Sequence, residues 1–123
     1  MSGNMDLGRQ GEDLAAAYLK EKGFRIRERN WRSGRNEVDI IAEKGDLMIF
    51  VEVKTRRPGS MMPPASAVDR AKQANIIRAA DVYIRRYDLD VNARFDIISI
   101  ETNGSETRLE HIDEAFYALL RRR

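Results

Sequence analysis

The chain contains no cysteine and a single histidine, His111, among its 123 residues. The lack of cysteine excludes both a disulfide framework and a thiolate metal site. One histidine is too few for the zinc sites that are built from imidazole ligands. A Ser-His-Asp triad would have to use His111, which lies in a predicted strand without a nucleophile-elbow motif nearby. The commonest cysteine- and histidine-based chemistries are therefore not predicted.

Glycine-rich phosphate-binding motifs and long apolar segments are missing as well. Neither G-x-x-x-x-G-K-[ST] nor G-x-G-x-x-G occurs, so P-loop nucleotide hydrolysis and dinucleotide redox chemistry are not predicted. No run approaches the ~20 apolar residues of a membrane-spanning helix, and residues 1–7 show no secretory signal pattern. We therefore expect a cytoplasmic protein without a membrane partner.

What is present is the composition of one compact domain. Hydrophobic residues make up 42% of the chain and charged residues 34%, as in folded rather than disordered proteins. We interpret residues 1–123 as a single domain, because this length is close to the commonest domain size. The net charge is only +2, but segment 20–35 is mainly basic and segment 37–54 mainly acidic. An acidic centre with basic flanks suits a metal-dependent enzyme acting on a polyanion, and a solvated charged surface would have the same pattern.

The segment 37–57, EVDIIAEKGDLMIFVEVKTRR, has the pattern of a β-hairpin, with two apolar runs around a turn at 43–46. With Lys44 and Gly45 at the tip, Asp39 would lie opposite Phe50. Side chains alternate between the two faces of a strand, so one face of the hairpin is predicted to be apolar. That face would carry Val38, Ile40, Ala42, Leu47, Ile49, Val51 and Val53.

The other face of the hairpin would carry Glu37, Asp39, Glu52 and Lys54. Asp39 and Glu52 become diagonal neighbours, about 7–8 Å apart at Cα. Three carboxylates at one end of two largely buried strands are costly unless they have a purpose. Carboxylate oxygens at this separation can share Mg²⁺ or Mn²⁺, and Lys54 can orient a water or neutralise charge beside a phosphate. We therefore predict a metal site held by Asp39 and Glu52.

The first helix is predicted over Asp6 to Lys22, with Gly23 after its last turn. Glu12 falls at the border of the apolar stripe of this helix, in one row with Gly8. A glutamate there can reach toward whatever the helix packs on. The alternative is a surface residue that pairs with Arg9 on the same helix.

The segment Phe24 to Trp31 alternates as an outer strand with one basic face. Arg25, Arg27 and Arg29 are predicted to point one way, together with Trp31. Such an arginine row can follow a phosphate backbone, or it can serve only to protect the sheet edge. We interpret the arginines as substrate contacts and Trp31 as part of the core.

The rest of the chain is predicted to form a loop, a helix and two further strands before a closing helix. Their limits are Pro58–Ala65 for the loop, Ser66 to Arg86 for the helix, Arg94–Glu101 and Thr107–Ile112 for the strands, and Asp113–Leu120 for the closing helix. The first helix of this set has a capping-box-like start at Ser66 and Asp69. Lys72 and Gln73 lie on its core-facing line, where polar groups need partners, and the acidic end of the hairpin would supply them. The loop is either a plain connector or a segment that orders on substrate.

The spacing Asp39-x12-Glu52-x-Lys54 resembles the PD-(D/E)XK signature of restriction-endonuclease-like nucleases, with Val38 in place of the proline. The wider resemblance covers residues 7–100 and is to the YraN family, small bacterial proteins of predicted nuclease function that are similar in layout to Holliday-junction resolvases. It is carried by GRQGEDLAAAYLKEKGFRI, NEVDIIA, FVEVKTRR, AKQANIIRAADVYI and RFDII, in that order. The resemblance implies that Glu12 completes the metal site and that Lys72 and Gln73 match a Lys-Gln pair of the family.

The resemblance and the predicted element order imply an α/β fold with a restriction-endonuclease-like αβββαβ core, a mixed central sheet flanked by helices. The expected function is a Mg²⁺- or Mn²⁺-dependent endonuclease that cleaves DNA, including branched or flapped DNA in repair or recombination. Catalytic roles are assigned to Asp39, Glu52, Lys54 and Glu12; metal binding to Asp39, Glu52 and Glu12; and substrate binding to Arg25, Arg27, Arg29, Arg56, Lys72 and Gln73. A non-catalytic nucleic-acid-binding module and a purely structural domain are the alternatives. The sequence leaves open whether the chain is a monomer or a homodimer.

Overall fold

A computed structural model of the chain describes residues 4–59 and 68–117, with side chains described from residue 7 onward. It contains two helices and five strands in these parts. They are α1 (Asn4–Glu21), β1 (Arg25–Ser33), β2 (Asn36–Lys44), β3 (Leu47–Arg56), α2 (Arg70–Arg86), β4 (Asn92–Thr102) and β5 (Thr107–Phe116). Of the predicted loop, residues 60–65 lie outside the described residues. No helix within the described ranges is long and apolar enough to cross a membrane.

The five strands form one sheet in the order β1-β2-β3-β4-β5. The β3–β4 pair is parallel, and the other three pairs are antiparallel. A parallel pair needs a crossover connection, and α2 lies on the path between β3 and β4. The predicted mixed sheet with the element order αβββαβ is therefore confirmed, and so is the position of β1 as an edge strand.

The core consists of two apolar clusters on opposite faces of the sheet. The cluster under α1 contains Ala15, Ala16, Leu19, Ile40, Ala42, Ile49, Val51, Ile98 and Ile100. The cluster under α2 contains Val38, Ile41, Met48, Phe50, Val68, Ile76, Ala79, Ala80, Tyr83, Phe95, Ile97 and Phe116. The middle strands are covered on both faces, which explains their nearly continuous Val and Ile content.

The prediction that Val38 lies on the same face of the hairpin as Ile40 and Ala42 is wrong. Val38 packs under α2, whereas Ile40 and Ala42 pack under α1. The strict alternation of β2 is interrupted at Asp39, where the strand stops pairing with β3 and the carboxylate turns to a backbone N–H of that strand. Sequence alternation alone cannot reveal such an interruption.

The predicted register of the hairpin is also wrong. Lys44 pairs with Leu47, so Gly45 and Asp46 form the two-residue loop, and Ile41 rather than Asp39 lies opposite Phe50. Gly45 has φ +61°, and the first position of a type II′ hairpin turn requires such a positive φ. The pairing moves by two positions, an even number, so Glu52 and Lys54 keep their predicted face.

The two helices differ from the prediction mainly at their first residues, and the first helix also ends one residue earlier, at Glu21 rather than Lys22. The first helix begins at Asn4 rather than Asp6 and ends in a Schellman motif, in which the N–H groups of Gly23 and Phe24 donate to the carbonyls of Lys20 and Leu19. The second helix begins after Asp69, whose carboxylate accepts from the N–H of Lys72 at 2.8 Å. Asp69 is therefore the N-cap, because it satisfies a free N–H of the first turn, and the helix begins later than predicted. The predicted start at Ser66 itself lies outside the described residues.

The closing helix predicted from Asp113 is wrong over the described residues. The chain continues in β5 as far as Phe116, which pairs with Phe95 and stacks on its ring at 5.3 Å. Glu114 takes a φ of +50°, and a shift of register accompanies it. This irregularity lets Phe116 reach the core. Residues 118–120 of the predicted helix lie outside the described residues.

The first helix lies very close to β3 at one point. A methyl group added at Gly11 would overlap Thr55 Oγ1 and lie 2.9 Å from Thr55 Cβ and Cγ2. Only glycine permits this approach. The contact fixes α1 against the strand that also carries Glu52 and Lys54.

Candidate functional site

The candidate site lies where β2 and β3 separate. Their pairing ends at Ile40 and Val51. One residue further on, Asp39 Oδ2 accepts a hydrogen bond of 2.8 Å from the backbone N–H of Val53. The Asp39 carboxylate thus accepts a hydrogen bond from β3 just beyond the last paired residues of β2 and β3. The backbone of β3 fixes the orientation of this carboxylate.

Glu52 is the second carboxylate at this opening and is only 9% exposed. Its Oε2 lies 3.8 Å from Lys72 Nζ, which projects from the first turn of α2. The predicted position of Lys72 beside the acidic end of the hairpin is therefore confirmed. Lys54 follows two residues later in β3 and is half-buried. Two carboxylates and two ammonium groups are thus gathered at one edge of the opening.

Burial raises the pKa of Asp39 to about 7, with further contributions from the charges of Glu52, Glu12 and Glu37, against the hydrogen bond from Val53. Burial also raises the pKa of Glu52, while Lys72 and Lys54 act in the opposite direction. Burial and the neighbouring carboxylates thus both disfavour an uncompensated negative charge on Asp39. Such a site favours a proton or a cation.

Glu12 is close enough to influence Asp39 but is held by β1. Its Oε1 accepts from Asn30 Nδ2 at 3.0 Å and lies 3.6 Å from Arg29 Nη2. The alternative pairing with Arg9 is replaced by these two contacts. Within residues 4–59 and 68–117, no three Asp, Glu or His side chains are gathered closely enough to hold a metal ion. The structure therefore brings two of the three predicted ligands together and leaves the third aside.

The prediction that the three arginines of β1 point one way is wrong. The pairing of β1 with β2 shifts between Ile26 and Glu28, which reverses the alternation at Arg27. Arg25 and Arg27 both pair with Glu43, and Arg27 also donates to the hydroxyl of Tyr83 in α2 at 2.9 Å. Arg29 lies on the α1 side and pairs with Asp13 at 2.8 Å. The row is thus split between the two faces. Trp31 packs against Tyr83 at 5.1 Å, and its predicted place in the core is confirmed.

The two remaining predicted substrate contacts, Gln73 and Arg56, each have other partners. Gln73 follows Lys72 in α2, but its amide donates to the carbonyl of Val68 at 2.9 Å and holds the chain entering the helix. Arg56 lies further along β3, 3.8 Å from Glu101, and lines a polar hollow of about 480 Å³ with Ser99 and Arg108. Arg56 therefore extends the polar surface beyond Lys54.

Asn30 belongs to the site, although no sequence pattern predicted it as a site residue. It has φ +53°, a left-handed conformation that is uncommon outside glycine, and its side chain holds Glu12. Its neighbour Arg29 pairs with Asp13, a further residue without a sequence signal. Asparagine is among the residues that tolerate this conformation, so its position at the end of a strand pattern was the one available hint.

A second polar cluster, also missed, lies around the fully buried Asp96. Burial would raise the pKa of Asp96, yet hydrogen bonds from His111, Arg94 and the N–H of Glu114 hold it below its ordinary value. His111 contacts Asp96 at 2.8 Å through Nε2 and the hydroxyl of Tyr18 at 2.9 Å through Nδ1. The cluster joins α1, β4 and β5, and it is separate from the carboxylate pair.

Comparison with a family model and with individual proteins identifies the same family. Residues 11–100 match the model described as Uncharacterised protein family UPF0102. A UPF0102 protein of Bacteroides thetaiotaomicron is 45% identical over 117 residues, covering 95% of this chain and 97% of that protein. A UPF0102 protein of Porphyromonas gingivalis is 43% identical over 124 residues, covering 99% and 92%. One from Flavobacterium psychrophilum is 40% identical over 117 residues, covering 95% and 98%. The similarity thus spans all elements of the candidate site.

Proposed function

The chain belongs to the uncharacterised protein family UPF0102, and we propose that it is a metal-dependent endonuclease that hydrolyses phosphodiester bonds of DNA. One observation carries the proposal. Asp39 and Glu52 lie together, largely buried, at the opening between β2 and β3, with Lys54 and Lys72 beside them. The spacing of Asp39, Glu52 and Lys54, which resembles the PD-(D/E)XK signature, supports the same function.

The donor set fits a hard divalent cation. Asp39 and Glu52 offer only oxygen ligands, which Mg²⁺ and Mn²⁺ prefer. The charges of Glu12 and Glu37 add to the negative potential at Asp39, which a cation would relieve. We therefore assign Asp39 and Glu52 to the metal, which when bound supplies Lewis-acid polarisation of a phosphoryl oxygen and a more acidic water.

The chain's own residues have separate tasks in hydrolysis. The oxygen of a water forms a bond to phosphorus and the water gives up one proton to solvent, while the bond from phosphorus to one ester oxygen breaks and this leaving oxygen takes up a proton from solvent. The N–H of Val53 fixes the carboxylate of Asp39 so that it does not have to be oriented during the reaction. Lys54 is placed to hold the water or to neutralise charge that develops on the phosphate. Lys72 orients Glu52 and adds a second positive charge at the opening.

A nucleic-acid-binding module without turnover is the second candidate. It is favoured by the position of Glu12, which Asn30 and Arg29 hold away from the carboxylate pair. A site with only two carboxylates in place can bind a phosphate backbone through its lysines without cutting it. Binding without cleavage distinguishes this candidate from the enzyme.

The test is a panel of labelled linear, nicked, flapped and four-way DNAs with Mg²⁺ or Mn²⁺. We expect metal-dependent cutting of at least one substrate, at a rate about a hundredfold lower in Lys54→Met, because one group that stabilises the transition state is lost. Lys44→Met is the matched control, since Lys44 lies in the same hairpin but at its exposed tip. Equal cutting by both variants would rule out the assigned role of Lys54. Binding without cutting by the wild type would favour the second candidate.

A further inference from the structure

Three side chains form a small cluster between α1 and β1, which we name the Glu12 clasp: Glu12, Arg29 and Asn30. The amide of Asn30 donates to Glu12 at 3.0 Å, and Arg29 lies 3.6 Å from the same carboxylate oxygen. Arg29 also pairs with Asp13, one residue further along α1, at 2.8 Å. Two consecutive residues of the edge strand thus hold consecutive acidic residues of the helix.

The backbone of the clasp has an uncommon conformation at one residue. Asn30 is one of three non-glycine residues with positive φ in the described parts of the chain, and its value of +53° is sparsely populated outside glycine. Its neighbours Arg29 and Trp31 pair with Ile40 and Val38, so Asn30 lies at the level of Asp39 in the adjacent strand. A conformation of this kind persists where the surroundings enforce it, often at functional sites. This residue therefore lies opposite the proposed metal ligand Asp39 in the adjacent strand and is hydrogen-bonded to Glu12.

The position of the clasp explains why only two of the carboxylates are together. Asn30, which holds Glu12, lies opposite Asp39 in the adjacent strand, so Glu12 is held beside the part of the sheet that carries Asp39. We infer that Arg29 and Asn30 hold Glu12 back from Asp39 and Glu52, and that Glu12 joins them when the clasp opens. This inference rests on the proposed function, since Asp39 and Glu52 are the metal ligands assigned there.

The chemistry of the clasp indicates what opens it. A guanidinium group that is held by two carboxylates can exchange them for a phosphate, which offers the same paired oxygens. The clasp lines a hollow of about 490 Å³ together with Gly8, Arg9 and Asp13, so a phosphodiester has space beside Arg29. Binding of the substrate would then release Glu12 at the moment when the metal site is needed. Arg29 and Asn30 are accordingly positioning residues, which act through Glu12.

Manganese affinity without substrate tests the clasp. Asn30→Gly suits the positive φ and removes the amide donor, so the fold is kept and Glu12 loses one hydrogen bond. We expect Mn²⁺, followed by electron paramagnetic resonance of the free ion, to bind about fivefold more tightly to this variant, the effect of one hydrogen bond. The gain should vanish when Glu12→Gln is added, because the released group is then no longer a carboxylate.

The controls separate this inference from the proposed function. Mn²⁺ binding that is lost in Asp39→Asn but unchanged in Asn30→Gly would overturn the clasp and leave the metal site intact. The same gain with and without Glu12→Gln would also overturn it, because Glu12 would not be the group released. A wild-type protein that binds no Mn²⁺ would overturn the metal site and the clasp together.

A labelled single-stranded oligonucleotide in EDTA tests the exchange for phosphate. Glu12→Gln should tighten its binding about fivefold, because Arg29 loses a competing carboxylate. In the Arg29→Gln background the same substitution should have no effect. Arg25→Gln, which removes the same charge from the same strand at its Glu43 pair, is the matched background in which the gain should remain. An equal gain in all three backgrounds would reveal a general charge effect and overturn the exchange.

Discussion

Asp39→Asn is expected to abolish metal-dependent cutting, by at least a thousandfold, and to raise the melting temperature at pH 8 by several degrees. Asparagine keeps an oxygen that accepts from the N–H of Val53, so the shape of the opening is preserved. The loss of one negative charge relieves the repulsion from Glu52, Glu12 and Glu37. A functional substitution is thus predicted to stabilise the protein.

The stabilisation by Asp39→Asn should depend on pH. The pKa of Asp39 is about 7 in the folded protein, above its ordinary value of 3.8, so the folded state binds the proton more tightly. The contribution of this group to wild-type stability is therefore complete below about pH 4 and lost as the pH rises through 7. The advantage of the variant should be clear at pH 8 and absent near pH 4. Thermal unfolding at pH 8 and at pH 4 measures this difference in melting temperature, and a variant at an exposed aspartate, Asp90→Asn, is the control.

Manganese provides a second measurement on the same pair of proteins. A cation that binds only the folded site stabilises it by RT ln(1 + [L]/Kd), about 2.7 kcal/mol at 100 times Kd. Wild type in millimolar Mn²⁺ should therefore melt several degrees higher than in EDTA, and Asp39→Asn should respond far less. A wild-type melting curve that does not move, together with a variant that melts lower than wild type, would show that Asp39 is a structural residue.

Gly11→Ala is expected to lower the free energy of unfolding by about 3 kcal/mol, or the melting temperature by about 10 °C. Helix propensity alone predicts the opposite, a gain of about 1 kcal/mol. The steric effect should dominate, because the added methyl group overlaps Thr55 Oγ1 and the helix cannot move away without uncovering Ala15 and Leu19.

Gly8→Ala is the matched control for this substitution. It lies one turn earlier on the same helix, and an added methyl group would have no neighbour within 4 Å. This variant should gain stability, by about 0.5–1 kcal/mol. Thr55→Ala should restore part of the stability lost in Gly11→Ala, because it removes the overlapping oxygen. A Gly11→Ala protein as stable as Gly8→Ala would contradict the close contact of α1 with β3.

The elements that were predicted well are those with strong local signals. The hairpin of β2 and β3 follows from two Val- and Ile-rich runs around a glycine, and α1 from a regular apolar stripe that ends at Gly23. Because alternation fixes the face of a strand residue, Glu52 and Lys54 could be placed together from sequence alone. The contact of Lys72 with Glu52 was also predictable, since a polar residue on a core-facing stripe needs a partner.

The errors have a different physical origin. The hairpin tip could not be located among four turn-forming residues, and the difference between the two placements is small in local energy. The segment from Asp113 has apolar residues at spacings that suit either a short helix or a strand, and pairing with β4 decides for the strand. The position of Glu12 is set by its contacts with Arg29 and Asn30. These residues are distant from Glu12 in sequence, so no local pattern could reveal the contacts.

The parallel pairing of β3 with β4 has a consequence for folding kinetics. Short turns join β1 to β2, β2 to β3 and β4 to β5, and such hairpins form within microseconds. The β3–β4 pair instead joins residues that are far apart in sequence, such as Leu47 and Asn92. The chain must therefore lose the entropy of closing this long loop before the stabilising contacts of the pair can form. This step should therefore limit the folding rate. Substitutions between β3 and β4 should slow folding, whereas a substitution such as Gly11→Ala, in a helix that docks on the finished sheet, should mainly speed unfolding.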